Sequence, residues 1–213
     1  MKTYPVCLIG MQARRAVVVG GGTVAARKAK DLLEAGGHVT VISPKLTPEL
    51  QSLVDDGQVT LIRRTYRAGD LRDAFLVIAA TDDGRVNQKV WHEAEQVGCL
   101  VNIVDDPARC NFITPAVIRH GDVTIAVSTG GTSPALARRL RERLEKLIGP
   151  EYGQLASLLA ELRPQIQSRY KSHEDRVWAA FRLVDSDLID TIKQGGMDAA
   201  RARAQELLLE DGE

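Results

Sequence analysis

The stretch Arg15-Ala16-Val17-Val18-Val19-Gly20-Gly21-Gly22-Thr23-Val24-Ala25-Ala26-Arg27-Lys28 decides how this chain folds. A short β-branched apolar run enters three glycines, and a helical pattern starts at once. Gly20, Gly22 and Ala25 fit the G-x-G-x-x-G/A spacing, in the strand–turn–helix setting that gives the spacing its meaning. Gly20 lets the chain turn tightly out of the strand. Gly22 has no Cβ, which leaves room for a pyrophosphate against the backbone. Ala25 is small enough for the helix to pack on the strand. The helix start offers unpaired N–H groups and a positive dipole end to phosphates. The expectation is a bound dinucleotide, and the plain alternative is a tight turn with no ligand.

Outward from this turn, strand and helix alternate. Ala16 to Val19 reads as a buried strand and Thr23 to Ala35 as a helix closed by Gly36-Gly37. His38 to Ile42 is a second strand. Thr47-Pro48-Glu49 opens a short helix ending near Gly57, with Pro48 suited to the first turn. Val59 to Ile62 and Phe75 to Ala80 are further strands, the latter almost wholly apolar, as a strand covered on both faces should be. Gly84 to Gln96 is helical, and Leu100 to Val104 is the fifth strand. The fold class is α/β: a Rossmann-like parallel sheet over residues 1–111. After Pro107 the pattern changes. Phe112 to Arg119 and Val123 to Ser128 read as two strands about His120-Gly121-Asp122. Ser133 and Pro134 then start a helix. Residues 112–149 form a small α+β region, and 150–213 an α-helical C-terminal domain punctuated by Pro164 and Gly195-Gly196.

In the helix after Ser133, Leu136, Leu140, Leu144 and Leu147 make one narrow apolar stripe with Arg138, Arg139, Arg141 and Arg143 around it. Either it packs on its own core or it is a subunit interface; the narrowness of the stripe favours the interface and a homodimer.

Bulk composition excludes several classes. The chain has 213 residues, 44% hydrophobic and 26% charged, with 28 Lys+Arg against 28 Asp+Glu. That balance favours neither nucleic acid nor a membrane surface. No apolar run approaches the ~20 residues of a membrane span, and the short apolar stretch after Met1-Lys2-Thr3-Tyr4-Pro5 does not suit a signal peptide. Cys7, Cys99 and Cys110 contain no C-x-x-C pair, which suits a reducing cytoplasm. His38, His92, His120 and His173 are scattered, so no metal site is expected.

Ligands of a doubly wound sheet bind beyond the carboxyl ends of its strands. Three segments meet there: Gly20 to Thr23; Ala79-Ala80-Thr81-Asp82-Asp83, where small residues permit close approach to a cofactor; and Val101 to Asp106. Asp105 and Asp106 follow the last core strand, and a carboxylate there can act as a base beside a nicotinamide. One functional and one loop-capping aspartate is the expected split, since Asp often precedes proline in turns. The second strand lacks the acidic residue that usually bonds the ribose about 20 residues past the glycines. Ser43-Pro44-Lys45 stands there instead: Ser43 suits the ribose hydroxyls and Lys45 a 2′-phosphate, so these residues leave NAD against NADP open. A second segment, Val127-Ser128-Thr129-Gly130-Gly131-Thr132-Ser133-Pro134, crowds hydroxyls and glycines at a helix N-terminus. It reads as an anion pocket for a substrate carboxylate or as an elaborate N-cap.

Together, Val19 to Lys28, Ala79 to Asp83 with Val86-Asn87-Gln88, Asn102 to Asp105, and Ser128 to Pro134 resemble the precorrin-2 dehydrogenase / sirohydrochlorin ferrochelatase family of siroheme biosynthesis. The resemblance covers residues 1 to 150. It implies NAD-dependent oxidation of precorrin-2 to sirohydrochlorin, with Fe²⁺ insertion as a second activity of some members. It sets Thr23, Val24, Pro44 and Lys45 against the cofactor, tilts that cofactor to NAD, and assigns the key carboxylate to Asp105. It also implies a dimer through the region after the sheet. Thr129, Gly130, Gly131, Thr132 and Ser133, with Arg138, would meet the carboxylates of the tetrapyrrole. Thr129 stands where some relatives have serine. Relatives with a fused methyltransferase are larger, so methylation is expected from another protein. A reading from another class is a nucleotide-sensing module with no chemistry, against which Asp105 and Gly130-Gly131 speak.

Overall fold

The computed structural model describes residues 2–209; residues 210–213 of the expected C-terminal domain lie outside them. The chain forms two compact units, through Thr114 and from Pro115 onward.

In the first unit the strands are β1 (Arg15–Val19), β2 (His38–Ile42), β3 (Val59–Ile62), β4 (Ala74–Ala79) and β5 (Leu100–Ile103). All pair in parallel, in the order β3-β2-β1-β4-β5. The order reverses between β1 and β4, which makes the crevice beyond their carboxyl ends the ligand site of such a sheet. Helices α1 (Thr23–Glu34), α2 (Pro48–Asp55) and α3 (Gly84–Val97) supply the crossovers. Ala25, Ala26 and Ala29 are fully buried and pack with Val18, Val39 and Val41. Their small size lets α1 lie close on the sheet. On the other side, Val17, Val77, Val101 and Ile103 meet Val90 and Ala94 of α3. The central strands are therefore buried on both sides, as their unbroken apolar sequence requires.

The link from β3 to β4 has no helix. Two carboxylates hold it instead. Glu93 of α3, buried in mid-helix, accepts the Tyr66 hydroxyl at 2.5 Å, the Gly69 N–H at 3.0 Å and the Leu71 N–H at 2.9 Å. Burial and the Glu93 bond push the Tyr66 phenol far above its ordinary pKa. Asp70 takes a two-pronged contact from Arg64, at 2.6 and 2.8 Å, and the Arg67 N–H at 2.7 Å. The Arg64 bond holds the Asp70 carboxyl below the usual carboxylate range.

The second unit holds the antiparallel pair β6 (Ala116–His120) and β7 (Val123–Val127), then α4 (Pro134–Leu144), α5 (Pro150–Arg169), α6 (His173–Val184) and α7 (Leu188–Leu209). Gly121 opens the two-residue turn with φ +55. The expected strand from Phe112 starts only at Ala116. The Phe112 carbonyl accepts from the Asn102 side chain at 2.9 Å, and Pro115 has no N–H to give a ladder. Pro164 does not end a helix as expected; α5 runs through it. Pro164 and Ala160, whose carbonyl the ring displaces, lie on the exposed face, while Leu158, Leu162 and Ile166 are buried opposite. The freed carbonyl faces the solvent side, and the packing opposite holds the helix. The break expected at Gly195-Gly196 is present: Gly196 is non-helical within α7, at φ 75. Among the described residues no helix is long and apolar enough to cross a membrane.

Candidate dinucleotide site

The turn after β1 is built from three glycines with three different duties. Gly20 sits at φ +126, and a Cβ on it would overlap the Ala80 carbonyl. Its N–H donates to Ile42 at 3.0 Å, which ties the turn to β2. Gly21 is wedged under the Lys45 carbonyl, with the Ser43 hydroxyl 2.6 Å from where a Cβ would stand. Its own carbonyl accepts the Thr47 N–H at 2.9 Å. Gly22 faces open space: nothing lies within 4 Å of where its Cβ would stand, and it is the N-cap of α1 without a side-chain cap. The first helical bond runs from Ala26 to Gly22, so the N–H groups at the helix start, Thr23 and Val24 among them, remain for an anion. By contrast, Asp83 caps α3 through the Arg85 and Val86 N–H groups.

Around this turn, Ser43 is buried, and its hydroxyl donates to the Lys45 carbonyl at 2.7 Å. Only its acceptor lone pairs are open to a ribose. Pro44 and Lys45 are exposed beside it. At the end of β4, Thr81 accepts the Asp83 N–H on its hydroxyl at 3.2 Å and the Asn87 amide on its carbonyl at 3.0 Å, while Asp82 is exposed. Among the described residues, two buried side-chain oxygens have no partner: Thr47 Oγ1 and Asn87 Oδ1. Both belong to residues bonded to the walls of this crevice. The open space at Gly22, the uncapped start of α1 and these unmet acceptors fit a dinucleotide.

The two aspartates after β5 are unlike each other. Asp106 bonds its neighbours: its carboxylate pairs with Arg109 at 3.0 Å, and its N–H donates to Ile103 at 3.2 Å. Asp105 is exposed and lies at φ +62, one of two non-glycine residues with positive φ among those described. The bond from Asp106 to Ile103 closes a four-residue turn in which Asp105 holds the position that glycine usually takes. Such a conformation costs a non-glycine residue about 1–2 kcal/mol.

In the second unit, the Thr129–Ser133 loop is largely self-satisfied. The Thr129 hydroxyl bonds the Ser133 N–H and carbonyl, each at 3.0 Å; Gly130 N–H goes to Ser128 and Thr132 N–H to the Thr129 carbonyl, both at 3.1 Å. Ser133 caps α4 through the Leu136 N–H at 3.2 Å. Gly130 and Gly131 both have positive φ, and Thr132 is exposed. Arg138 is exposed and pairs with Glu142 at 3.0 Å. Leu136, Leu140 and Leu147 of the leucine stripe stand exposed, Leu147 by 72%, and Ala137 supplies the buried contact of α4.

Comparison with known proteins agrees along the length of the chain. A family model described as "Putative NAD(P)-binding" matches residues 7–116, one for the central part of sirohaem biosynthesis proteins matches 120–147, and one for the sirohaem synthase dimerisation region matches 151–208. Over residues 7–116, more than half of its length, the chain belongs to the "Putative NAD(P)-binding" family. A siroheme synthase of Nitrosococcus oceani is 39% identical over 212 residues, 100% of this chain and 45% of that protein. One of Methylobacillus flagellatus is 38% identical over 213 residues, again 100% and 45%. The chain thus spans about half the length of the curated relatives it matches. Among solved structures, SirC, a precorrin-2 dehydrogenase, superposes with a TM-score of 0.75 at 28% identity, covering 97% of this chain and 100% of its own. In this family setting, the central model falls on the striped helix and the Thr129–Ser133 loop, while the dimerisation model covers α5 to α7.

Several contacts in the first unit carry no local signal in the sequence. Lys28 of α1 reaches Thr114 at 2.6 Å, and burial draws its ammonium below the ordinary lysine range. Cys110 and Asn111 face the edge of β5. Their spacing matches no motif, and only the return of the chain along that edge gives them partners. Among the described residues no group of three His, Cys, Asp or Glu is placed to hold a metal.

Proposed function

We propose that this chain oxidises precorrin-2 to sirohydrochlorin with NAD⁺, acting as a homodimer in the cytoplasm. Bound NAD⁺ supplies the hydride acceptor. The chain's own part is to bind and to move a proton. Gly22 and the open N–H groups of Thr23 and Val24 take the pyrophosphate. Ser43, Pro44 and Lys45 border the adenosine end, and Thr81 and Asp82 border the crevice beside β4. Asp105 accepts the proton that leaves as the substrate gives up its hydride, a role worth ~10²–10⁴-fold in rate. Thr129 to Ser133 and Arg138 are assigned to the substrate carboxylates, and the α4 stripe to the dimer contact.

The observation that carries the reading is Asp105. An exposed carboxylate is kept in a glycine-like conformation at the carboxyl end of β5, on the same edge of the sheet as the dinucleotide turn and one strand removed from it. Strain of this kind gathers at functional positions. Asp106, bonded into its loop, is the structural member of the pair.

The test is an anaerobic assay with precorrin-2 and NAD⁺, followed by NADH absorbance and the product spectrum. Asp105→Asn should bind NAD⁺ normally and lose ~10²-fold or more in rate. Asp106→Asn should lose far less. Near wild-type turnover by Asp105→Asn rejects the base assignment, and an unreactive wild-type chain rejects the substrate.

A further inference from the structure

β5 is an edge strand of the sheet, so its outer N–H and C=O groups have no strand to pair with. The returning chain meets them largely with side chains. Asn111 accepts the Val101 N–H on Oδ1 at 2.7 Å, donates its amide to the Cys99 carbonyl at 3.1 Å, and donates its own N–H to the Val101 carbonyl at 3.0 Å. One residue along, Cys110 Sγ accepts the Ile103 N–H at 3.2 Å. The same sulfur lies 3.3 Å from the Ile103 carbonyl and 3.2 Å from the Asp106 carbonyl, the two acceptors open to its S–H.

Ile103 and Asp106 are the first and last residues of the turn whose third residue is Asp105. One sulfur atom therefore touches both ends of the turn that holds Asp105 at φ +62. A thiol is a weak donor and a weak acceptor, but here it serves as both, in a half-buried place. Burial pushes its pKa up, which keeps the S–H protonated at neutral pH.

We infer that Cys110 is a positioning residue for the dehydrogenation: its thiol clamps the Ile103–Asp106 turn and so aims the Asp105 carboxylate. This rests on Asp105 being the base. Cys110 touches neither substrate nor cofactor in this role, and the dinucleotide turn at Gly20 to Gly22 lies at another strand end.

The experiment is a double-mutant cycle on the full chain, with kcat, KM and the NAD⁺ Kd measured for each variant. Cys110→Ala should lower kcat about tenfold, with KM for precorrin-2 and Kd for NAD⁺ within about twofold of wild type. Cys110→Ser, which keeps a donor and an acceptor, should recover most of that loss. Because Cys110 works through Asp105, the pair Cys110→Ala with Asp105→Asn should be no slower than Asp105→Asn alone. Should Cys110→Ala not fold, Cys110→Val fills the space without the S–H and carries the same cycle. Unchanged kcat in the folded variant, or losses that multiply in the double variant, overturns the proposal and leaves the Asp105 base intact. Full activity in Asp105→Asn alone removes the base first, and the positioning role falls with it.

Discussion

The Lys45 carbonyl occupies the place where a side chain on Gly21 would have to be. The middle glycine of the turn, which the G-x-G-x-x-A pattern leaves free, is thus the most tightly enclosed of the three. The loop after β2 closes over it, and Thr47 fastens that loop by donating to the Gly21 carbonyl at 2.9 Å. The dinucleotide turn and the Ser43–Lys45 segment form one wall as a result.

Gly21→Ala is expected to destabilise the fold by about 1–3 kcal/mol, because a backbone carbonyl and not a flexible side-chain tip must give way. Chemical denaturation measures this. A stability equal to wild type would mean that the loop after β2 moves aside freely.

Gly22→Asp should do the opposite. Its side chain enters open space, so the protein folds with wild-type stability. The carboxylate then occupies the uncapped start of α1 and repels a pyrophosphate. Calorimetry should show NAD⁺ binding lost. Unchanged affinity in the folded variant would place the cofactor elsewhere.

Asp105→Gly should separate stability from activity. Glycine relieves the positive φ while adding freedom to the unfolded chain, so the melting temperature should hold or rise, by no more than about 1 kcal/mol in free energy. Turnover should vanish. Asp106→Gly, which breaks the pair with Arg109, should lower stability and retain turnover. A destabilised Asp105→Gly would show that the carboxylate makes a structural contact.

Asp70 predicts a pH dependence. Its folded pKa lies below the unfolded value because Arg64 bonds the charged form. The stabilisation is therefore present above the unfolded pKa of about 3.9 and lost as pH falls through the folded value. Thermal melts of wild type and Asp70→Asn should differ most near neutral pH and converge below about pH 4. A constant gap across that range would assign the effect to packing alone.

Leu147→Glu tests the proposed dimer contact. Leu147 is 72% exposed, so a charge there leaves each folded unit intact. Sedimentation should show a dimer for wild type and a monomer for Leu147→Glu at micromolar concentration. A dimer that survives this change and Leu140→Glu is held by the helices of residues 151–208 instead.

What the sequence determined by itself lies within short windows. Val17 to Val19 running into Gly20 states a buried strand and a sharp turn, because the apolar run and the missing Cβ act on the residues beside them. Ala25 announces close helix packing, Ser133-Pro134 a helix start, and Gly195-Gly196 a break, each through its own backbone geometry. The alternation of such windows was enough for the parallel sheet. Nothing in the sequence sets Glu93 apart, and only the fold brings Tyr66, Gly69 and Leu71 around it. Pro164 reads as a helix stop, and only the burial of Leu158, Leu162 and Ile166 opposite overrules it. The residues alone left one functional and one loop-capping aspartate, and the family resemblance chose Asp105; the partners of Asp106 depended on where Arg109 and Ile103 came to lie. Local preference is carried by bonded neighbours and survives in a string of letters. Partnership across the sheet edge, or between Tyr66 and Glu93 at a sequence separation of 27, exists only once the chain has closed.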